Sequence, residues 1–368
     1  MPKIFRAFLL IKYIDRTIGN SLHDNERSLM MNNKKLNRRE FMRDSAIAAA
    51  GVAVGLGAVT TQSTKAAGST GTDTSKILNY NPDMLYRRQG KTNLMVSAVC
   101  LGGHSRSNVE QRTEIVSRCI DAGINYIDSC TKGEVIRDSK ALKGRRDKMY
   151  LALSHCGQET RYPDYRTAKK LLESLDEVLK ASDQDYTDLW RITCYEPGGR
   201  HSFNTSCEMI EALETAKKQG KARFIGFSTH DRRWIKFMIE YFPQVDCVCF
   251  PFTTMSKRKQ TDSVFDALKK CDVGAFGIKP FAAGSLFAGS QEEKNRRARL
   301  AIRYILQSNT VIPIPGMNRV SEVDNAVKAV KERRQLDLKE RAELENTGKQ
   351  TWAQLPPHYQ WLKNWEYV

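Results

Sequence analysis

The sequence lacks the short motifs that most often reveal a function. Its nine cysteines contain no Cys-x-x-Cys pair, so we expect neither a disulfide framework nor an iron–sulfur cluster. Cys100, Cys119, Cys247 and Cys249 fall in apolar runs and are predicted to be buried. No Gly-x-Gly-x-x-Gly turn follows a predicted strand, which disfavours an open nucleotide-binding sheet. The apolar run Ile4–Ile14 is too short and too charged to cross a bilayer.

Acidic residues are also scarce. The chain carries 42 Asp and Glu against 59 Lys and Arg, a net charge of +17 at pH 7. Basic clusters such as Arg145-Arg146 and Arg296-Arg297 are scattered, without interleaved aromatics or a nucleic-acid motif. Solvated helix faces explain such clusters. We therefore expect no nucleic-acid partner, and the surplus charge suits an anionic ligand or solubility.

The N-terminal region has the layout of an export signal. Residues 1–29 are an extension of uncertain role, and the segment Asn37–Met42 with its paired arginines resembles a twin-arginine signal. A weakly apolar run, Ala46–Val59, and a possible cleavage site at Thr64–Ala67 follow. We predict a signal peptide over residues 30–67, the twin-arginine export machinery as a partner, and a periplasmic or otherwise exported protein. No stable membrane span is expected after processing; the alternative is a basic patch beside a weak helix.

The rest of the chain alternates between short apolar runs and segments of helical periodicity. Residues 68–83 are rich in Ser, Thr and Gly and are predicted to be a linker. The predicted strands are Val96–Leu101, Ile124–Ile127, Met149–Leu153, Leu189–Ile192, Arg223–Phe227, Val245–Phe250, Val273–Ile278 and Val311–Ile314. Because a helix follows each strand, residues 84–335 are predicted to form an α/β fold, a closed (β/α)8 TIM barrel. An open doubly wound sheet is the alternative, and residues 336–368 are predicted to form a C-terminal helix and an aromatic tail.

Reactive side chains follow several of the predicted strands. Asp128 follows the second strand, and four of the six histidines follow the first, third, fourth and fifth strands: His104, His155, His201 and His230. The carboxyl ends of barrel strands form the active-site face. Histidine serves as acid, base or metal ligand near neutral pH. Asp128 therefore marks the predicted site, and a metal set of Asp128, His104, His155 and His230 is one alternative.

Five segments together resemble the aldo/keto reductase family. They are Met84–Ser97 running into Leu101-Gly102-Gly103, Gly123–Asp128, Lys221–Ser228, Lys279–Gly284 and Ile314–Met317. Their order and spacing match that family. The resemblance implies a TIM barrel whose floor is closed by an N-terminal β-hairpin. It also implies carbonyl reduction with a nicotinamide cofactor, usually NADP, with NAD as the alternative.

The resemblance implies four catalytic roles that this chain fills only in part. The family uses a tyrosine as proton donor, a lysine that lowers its pKa, an aspartate that pairs with the lysine, and a histidine that orients the carbonyl. Asp128 matches the aspartate, whereas Ser129–Gly133 contains no tyrosine. Ser154 stands in the place of the lysine, and Thr193 or Cys194 in that of the histidine. Asp128 is therefore expected to lack its usual partner, and an unpaired carboxylate would oppose the charge that builds on the carbonyl oxygen.

Other residues near the barrel mouth, where the carboxyl ends of the strands meet, offer a replacement for the missing proton donor. His155, next to the lysine position, is the first candidate and is expected to pair with Asp128. Tyr195 is the second candidate, with Lys132 as the neighbour that lowers its pKa.

The same resemblance implies a set of cofactor-binding residues. They are Ser228, Thr229, Phe252, Thr253, Lys279, Gly284, Gly316 and Arg319. Phe252 is expected to stack on the nicotinamide, and Arg319 to meet a 2′-phosphate. The adenine-binding Glu-Asn pair of the family reads Asn325-Ala326 here.

We therefore predict an NAD(P)-dependent oxidoreductase with a non-standard acid–base set, acting on a carbonyl or sugar-like small molecule. One alternative is a catalytically silent barrel that binds a small molecule or a partner protein. The other is a metal-assisted enzyme that uses the histidines of the mouth.

Overall fold

The computed structural model describes residues 73–194, 201–253, 264–357 and 360. The predicted signal peptide, the first residues of the linker, Tyr195 and most of the aromatic tail lie outside the described residues. Within the described ranges, every helix is too short or too polar to cross a membrane.

The strands form one hairpin and one parallel sheet. The antiparallel hairpin pairs β1 (Tyr86–Arg88) with β2 (Met95–Ser97). The parallel strands follow in chain order: β3 (Tyr126–Ser129), β4 (Tyr150–Leu153), β5 (Thr187–Thr193), β6 (Ala222–Ser228), β7 (Cys247–Pro251), β8 (Gly274–Ile278) and β9 (Val311–Pro313). Each strand of the sheet pairs with the next one in the chain, as successive strand–helix–strand units produce.

A short segment before Gly103 closes the sheet into a barrel. Leu101 pairs with Ile127 of β3, and Gly102 pairs with Gly316 beyond β9. The Gly102 amide donates to the Pro315 carbonyl at 2.8 Å. A Cβ atom on Gly102 would lie only 2.7 Å from that oxygen, so the closing strand needs glycine there. The predicted (β/α)8 barrel with its N-terminal hairpin is confirmed.

Helices cover the outside of the barrel. They are α1 (Val109–Asp121), α2 (Lys132–Ala141), α3 (Ala168–Ser182), α4 (Phe203–Lys218), α5 (Arg232–Tyr241), α6 (Val264–Cys271), α7 (Gln291–Leu306), α8 (Val320–Lys331) and α9 (Leu338–Gln354). Polar caps start most of them; Asn108, for example, forms a capping box with Gln111 at the start of α1. The last helix, α9, is the predicted C-terminal extension.

Side chains alternate between the barrel interior and the layer under the helices. Inside, the rings of Tyr126 and Phe276 stack with centroids 4.5 Å apart. Cys247 and Cys249 join this inner cluster, whereas Val248 between them faces the helix layer. The four cysteines predicted to be buried are each at most 2% exposed, which confirms that prediction.

The folded part begins earlier than the predicted linker boundary. Ile77 is buried. The side-chain amides of Asn79 and Asn81 donate to the Ile120 and Asp121 carbonyls, at 2.8 and 3.0 Å, at the end of α1. Residues 77–83 therefore pack on the barrel and are not a free linker, because asparagine side chains fill hydrogen bonds that a helix end leaves open.

Candidate active site

A cavity of about 550 Å³ opens at the carboxyl ends of the strands. Asp128 lies in it, together with residues at or after the first, third, fourth, fifth, seventh and eighth strands of the barrel. Its polar lining includes His104, Arg106, Asp128, Arg161, Arg191, Thr193, Ser228, Thr229, His230, Lys279 and Asn318. The lining is rich in cations and hydroxyl groups, which suits a polar or anionic small molecule.

Asp128 is paired with a residue that the sequence did not single out. The Nε atom of Arg191 donates to Asp128 Oδ2 at 2.7 Å, and Nη2 donates to Oδ1. Arg191 comes from β5, two strands away from β3, and each side chain is 2% exposed. The expectation of an unpaired Asp128 is therefore wrong. Arg191 supplies the cation that the absent lysine would have provided.

The third nitrogen of Arg191 takes no part in the pair with Asp128. Nη2 also contacts Cys130 Sγ at 3.0 Å, while Nη1 makes no hydrogen bond to any described residue. Burial by itself lowers the pKa of Arg191, but the attraction of Asp128 outweighs it, and the pKa lies well above its usual value. A permanently charged donor thus faces the cavity.

Cys130 beside this pair remains a neutral thiol. Burial raises its pKa to about 12, and the nearby Arg191 charge only partly offsets that effect. A thiol with such a pKa is a poor nucleophile at neutral pH. The side chain therefore packs against the ion pair rather than acting as a reactive thiolate.

Glu134 in the first turn of α2 fixes the two loops that border Asp128. Its carboxylate accepts the Cys130 amide at 2.8 Å on one oxygen and the His104 amide on the other. His104 Nδ1 lies 3.8 Å from Glu134 Oε1, and the His104 side chain is 71% exposed at the mouth. His104 has a left-handed backbone with φ of 57°, a strained state held here by the buried carboxylate.

The predicted proton donor His155 does not meet Asp128. Its Nδ1 atom lies 3.2 Å from the Ser174 hydroxyl of α3, and the residue is absent from the cavity lining. Burial lowers its pKa. The physical reason is alternation: Ser154 at the end of β4 points inward, so the next side chain points to the helix layer.

The second predicted donor set is not assembled either. Lys132 begins α2 and pairs with Glu177 on the outer surface. It does not line the cavity. Tyr195 lies outside the described residues, so its role stays a prediction.

The predicted cofactor residues are mostly at the cavity. Ser228, Thr229, Lys279, Gly284 and Gly316 all line it. Gly284 has a φ of 85°, and a Cβ atom there would meet only Phe287 at 3.9 Å. The backbone conformation, more than lack of space, accounts for a glycine at this position.

Phe252 and Thr253 depart from the expectation in different ways. The Phe252 ring lies under the helices, with its centroid 5.6 Å from Phe265 and 5.9 Å from Tyr304. It cannot stack on a ligand in the cavity, because the alternation that turns Cys249 and Pro251 inward turns Phe252 outward. Thr253 is buried and is absent from the cavity lining.

A second cavity of about 290 Å³ continues from the first, between α7 and α8. Phe281, Phe287, Gly316 and Asn318 line both cavities. Arg319 borders this second cavity, called the far cavity below, and its side chain makes no hydrogen bond to any described residue. Its apolar lining includes Ala298, Ile302, Met317 and Ala326. The two cavities form one elongated cleft.

The metal alternative finds no support in the described part of the chain. No group of three or more His, Cys, Asp or Glu side chains there is arranged to hold a metal ion. His104 and His230 line the cleft, whereas His155 and His201 do not.

Sequence reasoning missed Arg191 and Glu159, although a signal for each was present. Arg191 is a cation inside the buried run Thr187–Thr193, and a buried charge must find a partner. Glu159 is 1% exposed and follows β4 closely enough to turn back on the strand end.

The match of a protein-family model agrees with the fold. The model of the aldo/keto reductase family matches residues 98–298. L-galactose dehydrogenase of Arabidopsis thaliana is 25% identical over 290 residues, which cover 68% of this chain and 90% of that protein. An aldo-keto reductase family 1 member C23-like protein of Equus caballus is 27% identical over 252 residues, covering 56% and 74%.

A solved structure shows the same fold. The holo form of an aldo-keto reductase from Bacillus halodurans superposes with a TM-score of 0.60, at 22% identity, covering 72% of this chain and 96% of that one. The family model spans more than half of the chain, and the closed barrel and the mouth cleft are those the resemblance implied. This chain belongs to the aldo/keto reductase family of oxidoreductases.

Proposed function

We propose that this protein is an NAD(P)(H)-dependent oxidoreductase, with NADP(H) as the favoured cofactor, in which an aspartate–arginine pair replaces the aspartate–lysine pair of the family. The elongated cleft carries the proposal. It has the charged Asp128–Arg191 pair at one end and Arg319 at the other. A dinucleotide needs such a shape, with a reaction centre at one end and an adenine site at the other.

The residues of the cleft fit that cofactor. The far cavity has an apolar lining for adenine and a guanidinium, Arg319, that would pair with a 2′-phosphate. Glu322 lies beside it and accepts the Asn318 amide at 2.6 Å. The Asn325 side chain already accepts a hydrogen bond from Arg299 at 2.8 Å and donates one to the Asn295 carbonyl at 3.0 Å. Adenine would thus be held mainly by apolar contact.

Arg191 would stabilise the oxygen of the substrate. A nicotinamide supplies or accepts the hydride when it is bound. Hydride transfer to a carbonyl builds negative charge on oxygen, and a preorganised cation lowers the barrier once substrate and cofactor have displaced water from the cavity. Arg191 lines that cavity, and Asp128 holds its Nε and Nη2 atoms in a fixed plane, which leaves Nη1 for the substrate oxygen. The pair acts as an electrostatic centre rather than as a proton donor, because the Arg191 pKa is too high.

We further propose a polyhydroxylated, sugar-like substrate. The mouth presents Arg106, Arg161, Thr193 and His230 along with the central pair, and hydroxyl groups are recognised by such donors and acceptors. The similarity to L-galactose dehydrogenase supports the same class.

Titration of the purified protein with NADPH, followed by the fluorescence of the bound nucleotide, tests the proposal. Saturable binding is expected, with NADPH bound more tightly than NADH. No binding at millimolar cofactor would contradict it. Cofactor binding without turnover of aldoses, aldonolactones or simple aldehydes would instead favour the catalytically silent barrel, for which Ser154 and Thr193 in the lysine and histidine places are the supporting observation.

Export by the twin-arginine route is a separate proposal that rests on the sequence. Arg38 and Arg39 stand at the start of a weakly apolar segment in a signal-like arrangement. Replacement of both by lysine is expected to keep the protein inside the cell, as fractionation would show. Unchanged export would contradict the proposal.

A further inference from the structure

A buried carboxyl group lies beside the mouth with its hydrogen bonds supplied by two strand ends. Glu159 is 1% exposed. Its Oε1 atom accepts the His155 amide at 2.8 Å, and Oε2 accepts the Thr193 amide at 2.7 Å. The Ser154 hydroxyl donates to Oε2 as well, at 2.7 Å. Glu159 thereby joins the ends of β4 and β5.

Two hydroxyl groups connect this carboxyl group to the cleft. Ser154 Oγ and Thr193 Oγ1 lie 2.6 Å apart, so either one can donate to the other. Ser154 is fully buried, whereas Thr193 lines the cavity beside Asp128 and Arg191. A hydroxyl group both donates and accepts. The hydrogen bonds between Thr193 and Ser154 and between Ser154 and Glu159 can therefore both reverse direction.

We propose that Glu159, Ser154 and Thr193 form a proton relay between the buried carboxyl group and the mouth cavity. Its chemical use rests on the proposed oxidoreductase function, whereas its existence as a proton path does not. The relay supplies what the Asp128–Arg191 pair cannot, since that pair holds charge but gives up no proton.

The proton balance of the reaction closes through this path. In alcohol oxidation the substrate hydride goes to oxidised nicotinamide, and the hydroxyl proton goes to Thr193 Oγ1. Thr193 passes its own proton to Ser154, and Ser154 passes its own to Glu159 Oε2. In carbonyl reduction the same three transfers run backwards. After the product leaves, Glu159 releases its extra proton through the same hydroxyl groups to cavity water in oxidation, and regains one from cavity water in reduction.

The surroundings favour a carboxyl group that can change its charge. Burial raises the pKa of Glu159, and the bonds from Ser154 and the two amides offset this only in part. Three other titratable or charged groups interact with it: Arg191 from β5, Cys194 just after β5, and Cys156 in the loop that follows β4. Arg161, from the same loop as Glu159, acts on both thiols. Burial raises the pKa of both thiols, so neither competes for the proton at neutral pH.

Time-resolved infrared spectroscopy after a pH jump tests the relay without any substrate. The carboxyl band of Glu159 is identified by its loss in Glu159→Gln, or by its shift in Ser154→Ala if the first variant fails to fold. Thr193→Val and Ser154→Ala are expected to slow protonation of Glu159 by about tenfold or more, since each removes one hydroxyl from the path. Thr193→Ser keeps the hydroxyl and is expected to retain the wild-type rate.

Ser129→Ala is the matched control. Ser129 Oγ donates to the buried Asp138 carboxylate at 2.7 Å, and neither residue lines the cleft. Equal protonation rates in wild type, Thr193→Val and Ser154→Ala would overturn the relay, as would a band that titrates like an exposed glutamate. NADPH binding measured on the same samples reports on the proposed function separately, so either idea can fail while the other stands.

Discussion

Two of the arginine–aspartate pairs among the described residues are buried, and they differ in what surrounds them. Arg112 and Asp138 are both fully buried, with Nε donating to Oδ1 at 2.7 Å. Arg191 and Asp128 are 2% exposed and share the same 2.7 Å bond from Nε. The first pair lies between α1 and α2, away from the cleft. The second lines it.

The difference lies in how completely each arginine is satisfied. Arg112 also donates to the Gly102 and Met317 carbonyls, at 3.1 and 3.4 Å, and Ser129 donates to Asp138. Every part of that guanidinium is occupied, so the pair joins the closing strand to the helix layer. Arg191 lines the cavity, and its Nη1 atom makes no hydrogen bond to any described residue. A fully satisfied pair stabilises the fold, and a pair with one donor left over at a cavity is available for chemistry.

The largest expected effect is on stability, and it separates the two pairs. Arg112→Met leaves the Asp138 charge buried without a partner and is expected to lower the free energy of unfolding by about 3–5 kcal/mol. Arg191→Met is expected to cost less, because water in the cavity can solvate Asp128. Denaturant unfolding of the three proteins measures both losses. An equal or larger loss for Arg191→Met would break the comparison.

The second effect is on catalysis, and it runs in the opposite order. Arg191→Lys and Asp128→Asn are expected to lower turnover roughly 100-fold, about 2.7 kcal/mol, because the donor to the charged oxygen is lost or misplaced. Steady-state oxidation of NADPH with aldehyde or sugar substrates measures it. Arg112→Lys is the control and should keep its rate if it folds. Unchanged turnover in the Arg191 and Asp128 variants would remove the proposed role.

A smaller effect is expected at the far end of the cleft. Arg319→Gln removes a charge that would meet the 2′-phosphate, and NADPH affinity should fall about tenfold, or ~1.4 kcal/mol, while NADH affinity stays nearly constant. Fluorescence titration with both nucleotides measures the change. Arg118→Gln, which removes a surface arginine paired with Asp324, should change neither affinity. Equal losses for the two nucleotides would assign Arg319 to another part of the cofactor.

The last effect concerns the protonation of a partly buried histidine. Burial, and then the Arg166 charge, lower the pKa of His201 from 6.5 to about 4. Between about pH 6.5 and pH 4, His201 is therefore protonated in the unfolded chain but neutral in the folded chain. The free energy of unfolding should fall as the pH falls through this range. His201→Gln should flatten this slope, as unfolding curves at several pH values would show. A slope that is unchanged in the variant would assign it to other groups.

The sequence predicts much of the barrel because its signals are local. The predicted strands Met149–Leu153 and Val273–Ile278 each differ from the observed β4 and β8 by one residue at the start. Gly123 ends α1 with the positive φ expected of a helix cap, and a Cβ atom there would lie 2.5 Å from Asn81. Such positions depend on a few neighbouring residues.

The site is harder to predict because its contacts are distant in the chain. Asp128 and Arg191 are 63 residues apart, and only barrel closure brings β3 and β5 close enough for the pair to form. Register is the second difficulty. A shift of one residue reverses the face of a side chain, which is why Phe252 and His155 face the helix layer instead of the cleft.

Nitrogen-15 NMR of the arginine Nε–H groups tests the central claim most directly, because each buried pair has one such group bonded to a carboxylate oxygen. The signals are assigned from Arg191→Lys and Arg112→Lys, and oxidised NADP is then added to the wild-type protein. The Arg191 signal is expected to shift on saturation while the Arg112 signal stays in place. A stationary Arg191 signal at saturating nucleotide, or an equal shift of both signals, would contradict the assignment of the Asp128–Arg191 pair to the cofactor cleft.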